Sequence, residues 1–347
     1  MKYYVGLDVS LNTVFVCIVN EKGKVIKEHE LPSTPEAIGN FLKSTDLEIE
    51  KIGLESGNLT HYLKKGLRKM GYEVVGMESR KMAAILSTII NKTDKNDARG
   101  IAEALRVGHY RECVHRSDEA VETRTILHAR QTAVEERTHL LSSLKGHLKM
   151  YGIKLGKGKS KSFRAKVEDS IASLKPRVQR VIKNLLNILD VLEKEIKELD
   201  KEVKELGKED KDVQLLQTID GVGPVTALAF KAEIDDPKRF EDSKDVAAYI
   251  GLTPSQYSSG EIQRQGSISK KGSKRMRSLL VEAATTLLTR SRIWSKLKAW
   301  GMKLMKKKGA KKAIIAVARK LAVTMHRMLL TQKSFERTDK NPELKAA

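Results

Sequence analysis

Four carboxylates occupy positions where phosphoryl-transfer chemistry could be built. Asp8 closes the run Val5-Gly6-Leu7-Asp8, and Glu55 closes Ile52-Gly53-Leu54-Glu55 in the same way. A charge at the end of a buried strand is costly unless it is paired or holds a metal ion. Asp94 and Asp97 stand three residues apart in Lys92-Thr93-Asp94-Lys95-Asn96-Asp97-Ala98-Arg99, a spacing that sets both on one face of a helix. Each has a plain alternative: Asp8 as a strand-end turn residue, and the later pair as first-turn acids that favour a helix dipole. Together they are the hard oxygen donors that Mg²⁺ takes, or Mn²⁺ in its place, with substrate phosphate completing the shell.

A second group of motifs lies toward the C-terminus. Asp220-Gly221-Val222-Gly223-Pro224 reads as a Gly-x-Gly turn entering a helix, with backbone N–H groups at Gly221 and Gly223 suited to a phosphate. It resembles a helix-hairpin-helix element, and an ordinary tight helix–helix turn reads equally well. Gly251-Leu252-Thr253-Pro254-Ser255-Gln256-Tyr257-Ser258-Ser259-Gly260 follows, then Ser269-Lys270-Lys271-Gly272 and Lys274-Arg275-Met276-Arg277. By spacing alone, a Ser-Ser-Gly after Pro is a turn whose hydroxyls cap local backbone.

Charge points to a polyanion. The 347 residues carry 66 Lys and Arg against 44 Asp and Glu, a net charge of +22. Residues 261–330 alone hold 19 Lys or Arg and 2 acids, and nucleic acid is the default partner for such an excess. The rival explanations are a solubilising surface or a membrane-surface patch. Aromatic residues make up only 5%, which argues against rows of stacking platforms for single strands.

Gly6-Leu7-Asp8, Glu55-Ser56-Gly57 and Thr93-Asp94-x-x-Asp97-Ala98-Arg99 together resemble the signature of the DEDD insertion-sequence transposases (insertion-sequence family one-ten), which also contains the Piv invertase. The resemblance runs over about residues 2–330. It implies an N-terminal domain similar to the Holliday-junction resolvase RuvC, with Asp8, Glu55, Asp94 and Asp97 binding Mg²⁺. The family pattern G-L-x-P-x-x-Y-x-S-G followed by S-K-x-G-x-x-x-x-R is present without a gap, and it sets the family's nucleophilic serine on Ser259, with Ser258 adjacent. Arg264, Lys270, Lys271, Lys274, Arg275 and Arg277 then become candidate nucleic-acid contacts. The resemblance further implies donor and target DNA as substrates, a non-coding bridge RNA as guide, a homodimer assembling to a tetramer, and cleavage through a phosphoserine. Two rivals stand beside it. One is a RuvC-like structure-selective endonuclease using metal-activated water; the other is a binding protein on a degenerate transposase scaffold.

The elements that must position these residues are legible. Lys2–Asp8, Thr13–Asn20 and Lys24–Leu31 read as strands, the last two joined by a turn at Asn20-Glu21-Lys22-Gly23. Ser33-Thr34-Pro35 opens a helix. A strand at Lys51–Glu55, a helix at Thr60–Met70 and a strand at Tyr72–Met77 follow, and the chain is helical from about Lys95. That order predicts an α/β ribonuclease-H-like mixed sheet in which the first and fourth strands are neighbours, so that Asp8 and Glu55 meet. Glu119–Met150 reads as one or two long helices. Val178, Ile182, Leu185, Leu189, Leu192, Ile196, Leu199, Val203 and Leu206 mark a heptad seam, a coiled coil within the chain or between two copies. The resulting division is 1–155 for the catalytic domain, 156–208 for a basic linker and coiled coil, 209–335 for a mainly helical C-terminal domain, and 336–347 for a tail. The linker is no P-loop, because Ile153 stands where the motif needs Gly. Two cysteines exclude a disulfide framework, and no apolar run approaches a membrane span; the reading is a soluble cytoplasmic protein.

Overall fold

A computed structural model describes residues 1–87, 91–156, 163–259 and 262–338. The basic linker at 157–162 and the tail from 339 lie outside the described residues. The chain forms two compact units, Met1–Arg116 and Ser117–Ala347.

The first unit is built on a five-stranded mixed sheet. Its strands are β1 (Tyr3–Val9), β2 (Thr13–Asn20), β3 (Val25–Pro32), β4 (Ile49–Glu55) and β5 (Val74–Met77), in the order β3-β2-β1-β4-β5. β1 pairs antiparallel with β2 and parallel with β4, as the element order predicts. Alternation along β1 and β4 sorts the side chains by face. Val5, Leu7, Ile52 and Leu54 enter one core with Ile38 and Leu42 of α1 (Pro35–Lys43) and Leu63 and Leu67 of α2 (Thr60–Lys69). Thr34 caps α1, its hydroxyl accepting from the Ala37 N–H at 3.2 Å, with Pro35 in the first turn. The opposite face packs on α3 (Ser79–Leu86), a helix the sequence reading passed over, and α4 (Asp94–Arg106), through Met82, Ala98, Ile101, Ala102 and Leu105.

The second unit is mainly helical. α5 (Asp118–Lys149) is a single 32-residue helix, and α7 (Pro176–Glu209) carries the heptad seam. Ile182, Leu189, Ile196 and Val203, one residue in seven, are buried, whereas Val178, Leu185, Leu192, Leu199 and Leu206 are half-covered. The seam is satisfied within the chain: α7 packs along α5, and α6 (Phe163–Ile171) closes one end with Val167 and Ile171. α5 also packs on α9, so by packing it belongs to this unit, and the two compact units meet at Arg116. α8 (Lys211–Leu216), α9 (Pro224–Ile234), α10 (Ser243–Ile250), α11 (Lys274–Thr289), α12 (Lys296–Lys308) and α13 (Ala310–Thr331) share a second core around Phe230, Leu280, Leu287 and Leu321. A hairpin, β6 (Pro254–Ser259) with β7 (Ile262–Ile268), interrupts the helices. Among the described residues no helix is long and apolar enough to cross a membrane.

Candidate active site

Period-two alternation decides where the first two carboxylates point. Val5 and Leu7 face α1 and α2, so Gly6 and Asp8 face α4; on β4 the same logic turns Gly53 and Glu55 to that side. The parallel register pairs Gly6 with Gly53 and Leu7 with Leu54. One step further, Asp8 and Glu55 lie at the ends of neighbouring strands.

α4 supplies the other two. Thr93 caps it, the hydroxyl accepting from the Asn96 N–H at 3.2 Å, and Asp94 and Asp97 occupy the first turn. The helix comes unusually close to the sheet. A Cβ on Gly6 would lie 2.1 Å from the Ala98 carbonyl oxygen and 2.4 Å from the Ala102 nitrogen, both backbone atoms. Only glycine admits that approach. Asp97, one residue before Ala98, is thereby held against β1 and is 8% exposed. On the outer side of α4, Glu28 of β3 accepts from Arg99 Nη2 at 3.0 Å and pairs with Lys95 Nζ at 2.8 Å. It also accepts from Arg99 Nε. This clamp ties the first two turns of the helix to the edge of the sheet.

Asp8 is the acid whose surroundings change its protonation. The Asp8 carboxyl is pushed up to about 6, first by burial and then by the negative charges of Asp97, Asp94 and Glu55, with Lys92 opposing. Among the described residues no three His, Cys, Asp or Glu side chains close tightly enough on one point to hold an ion. The set still fits a hard divalent cation: it is all carboxylate oxygen, and the repulsion at Asp8 is what a bound cation would relieve.

Ser259 is placed differently. It is exposed and stands at the end of β6, in register with Ile262 at the closed end of the hairpin. Gly260 and the side chain of Ser258 lie outside what is described. Tyr257 pairs with Arg264 across the hairpin, and both are exposed. Lys270, Lys271 and Lys274 are also exposed, and Lys270 adopts a positive φ of 56° where the chain leaves the hairpin.

Arg275, Arg277 and Gly221 are packed against other parts of the second unit. Arg277 Nη1 donates to the carbonyls of Ile250 and Gly272 at 3.0 and 2.8 Å, locking the base of the hairpin to α11. Arg275 is partly buried and donates to the Leu127 carbonyl; burial and the nearby Arg124 and Arg130 lower its pKa. Gly221 has φ 90°, and a Cβ there would lie 2.6 Å from the Ala283 carbonyl, so its side of the turn is pressed on α11. Gly223, by contrast, has open space at its Cα and begins α9. A basic spacing in sequence does not distinguish a cation that braces a loop from one that meets solvent.

Sequence reasoning passed over Gly6, Glu28 and Lys92. Of these, Gly6 carried a usable signal, since a lone glycine inside a strand marks a close backbone approach.

Comparison with known proteins covers both units. Residues 5–153 match the DEDD transposase profile of the IS110 group, and residues 213–299 match the profile described as "Transposase IS116/IS110/IS902 family". The chain belongs to the IS110 family of DEDD transposases. Among similar proteins, the transposase for insertion sequence element IS1111A of Coxiella burnetii is 28% identical over 95% of this chain and 90% of its own length. The transposase for element IS1328 of Yersinia enterocolitica is 26% identical over 78% and 81%. The pilin gene-inverting protein of Moraxella bovis is 33% identical over 35% of this chain and 38% of its own. This IS110-family transposase is therefore an enzyme that acts on DNA in transposition and recombination.

Proposed function

We propose that this transposase cuts and rejoins DNA strands through a covalent phosphoserine at Ser259, assisted by divalent metal held on Asp8, Glu55, Asp94 and Asp97. The observation that carries the reading is that acids of β1, β4 and α4 share one side of the sheet, where burial first, and then the charges of Asp97, Asp94 and Glu55, push Asp8 up to about 6. When bound, Mg²⁺ would supply Lewis-acid neutralisation of the phosphate under attack. The protein's own groups then have separate tasks. Glu28, Arg99 and Lys95 hold α4 in place, and Gly6 lets Asp97 reach Asp8. The Ser259 Oγ forms a bond to phosphorus while the strand's leaving oxygen departs with a proton. Attack by the incoming strand's hydroxyl reverses this step, restoring the serine and conserving the phosphodiester energy. Exposed Arg264, Lys270, Lys271 and Lys274, with the open turn at Gly223, are the candidate backbone contacts near the hairpin.

The same reading takes donor and target DNA as substrates and a non-coding bridge RNA as the guide that pairs with them. It also takes the working particle to be a homodimer that joins as a tetramer when two DNAs are exchanged. What supports these parts is the full-length likeness to the family. The decisive experiment incubates protein, flanking RNA from its own element, Mg²⁺ and end-labelled DNAs, then denatures the sample. A protein–DNA adduct lost in both Ser259→Ala and Asp8→Ala supports the phosphoserine. Cleavage that leaves no adduct and survives Ser259→Ala would establish a water-activating nuclease instead.

A further inference from the structure

From Ala283 to Phe335 the chain has fourteen Lys or Arg and no Asp or Glu. This stretch holds the last two turns of α11 and all of α12 and α13, and most of it, from Trp300 on, lies beyond the part matched by the family profiles. A few of its cations have structural roles. Lys298 is buried, donates to the Ser291 carbonyl at 2.6 Å and lies over Trp294; Lys320 sits 4.2 Å from the centre of the Trp300 ring; Lys296 pairs with Glu336. Lys303, Lys307, Lys308, Lys311, Lys312 and Arg319 are exposed, and neither α12 nor α13 contains an acid to balance them.

Helical geometry gathers these six. Lys303 and Lys307 are four apart on one face of α12, about 6 Å along the axis at 1.5 Å per residue. Lys312 and Arg319 are seven apart on one face of α13. Gly309, at φ 82°, turns the chain between the two helices, which pack together and so bring the last turn of α12 and the first of α13 to one end. Like charges at this density destabilise the free protein. A solubilising surface would mix the signs, as the Lys and Glu residues of α7 do. A membrane surface would need a spare apolar face, but Ala313, Val317, Leu321 and Met325 of α13 are all buried in the core. Single strands would need stacking rings, and the Trp300 ring is already covered by Lys320.

We infer that the α12–α13 ridge is a second, sequence-independent grip on the phosphate backbone of duplex DNA, separate from the hairpin that carries Ser259. The inference rests on the family's action on DNA, not on the serine chemistry, and the substitutions that test it leave Ser259 and the four carboxylates untouched. A failed grip and a failed phosphoserine would therefore be told apart.

The test uses the full chain without divalent metal. Binding of a labelled DNA duplex, a single strand of the same sequence and an RNA hairpin is followed by anisotropy across a salt series. The quadruple variant Lys307→Gln, Lys308→Gln, Lys311→Gln, Lys312→Gln is compared with Lys194→Gln, Lys197→Gln, Lys201→Gln, Lys204→Gln on exposed positions of α7. Each lost phosphate contact lowers the slope of log affinity against log salt by about 0.9. The ridge variant is expected to lose up to about 3.6 from the duplex slope and at least about tenfold in affinity, with the α7 variant unchanged. An unchanged duplex slope, equal losses in the two variants, or a larger loss on the RNA hairpin would overturn the inference. If circular dichroism shows the quadruple variant unfolded, Lys307→Gln with Lys308→Gln should remove about half of the slope change.

Discussion

Replacing Asp8 by Asn should make the first unit more stable in the absence of metal, and the size and sign of that gain follow from the site. Asp8 is half-buried, and its carboxyl is raised from the usual 3.8 to about 6 by burial and then by Asp97, Asp94 and Glu55. At full strength that difference corresponds to roughly 3 kcal/mol. Partial exposure to water reduces it to about 1–2 kcal/mol. In the unfolded chain the carboxyl loses its proton first, so its contribution to stability is intact below about pH 4 and is lost as the pH rises through 6. Asn has the same shape and cannot ionise. Metal-free Asp8→Asn should therefore exceed wild type by about 1–2 kcal/mol at pH 7.5, and the two should converge near pH 4. Both tryptophans, Trp294 and Trp300, lie in the second unit. The assay is accordingly hydrogen–deuterium exchange on peptides covering β1, β4 and α4. Added Mg²⁺ should invert the order, because the wild type gains binding energy and the variant loses a ligand. Faster exchange in metal-free Asp8→Asn at pH 7.5 would refute the reasoning, since it would mean that the Asp8 charge is favourably held rather than repelled.

Other substitutions probe the scaffold around the site. Gly6→Ala places a methyl against backbone atoms of Ala98 and Ala102; it should cost at least about 3 kcal/mol in chemical denaturation and abolish strand cleavage. Glu28→Gln leaves Arg99 and Lys95 without their carboxylate. It should raise exchange in α4 and cost about 1–3 kcal/mol, shifting the Mg²⁺ requirement of cleavage to higher concentration. Lys64 is 1% exposed, and burial, then Arg68, lowers its pKa against the pull of Glu112. Lys64→Met should thus be neutral or stabilising by about 1–2 kcal/mol at pH 7, with cleavage unaffected. That gain should shrink toward pH 10, where the lysine itself is losing its charge; denaturation at both pH values measures it.

Much of the fold was legible because local rules acted alone. The β1, β2 and β3 runs, the Thr34-Pro35 helix start and the heptad seam of α7 depend on alternation, capping and period, which short stretches of sequence carry in full. The hairpin β6–β7 was not legible as strands, because its Ser, Gln and Tyr residues show no buried-face alternation.

The sequence by itself determined the identity and order of the four acids, their places at strand and helix ends, the serine motif and the one-sided positive charge. Tertiary structure decided which of these groups lie near one another. Parallel pairing of β1 with β4 sets Asp8 beside Glu55, and the bare Cα of Gly6 admits α4 closely enough to bring Asp97 to them. Packing likewise decided that Arg275 and Arg277 brace the protein while Lys270 and Lys271 face water. Residue type fixes what a side chain can do, but its partners are chosen by contacts between segments distant in the chain, and no local pattern encodes those.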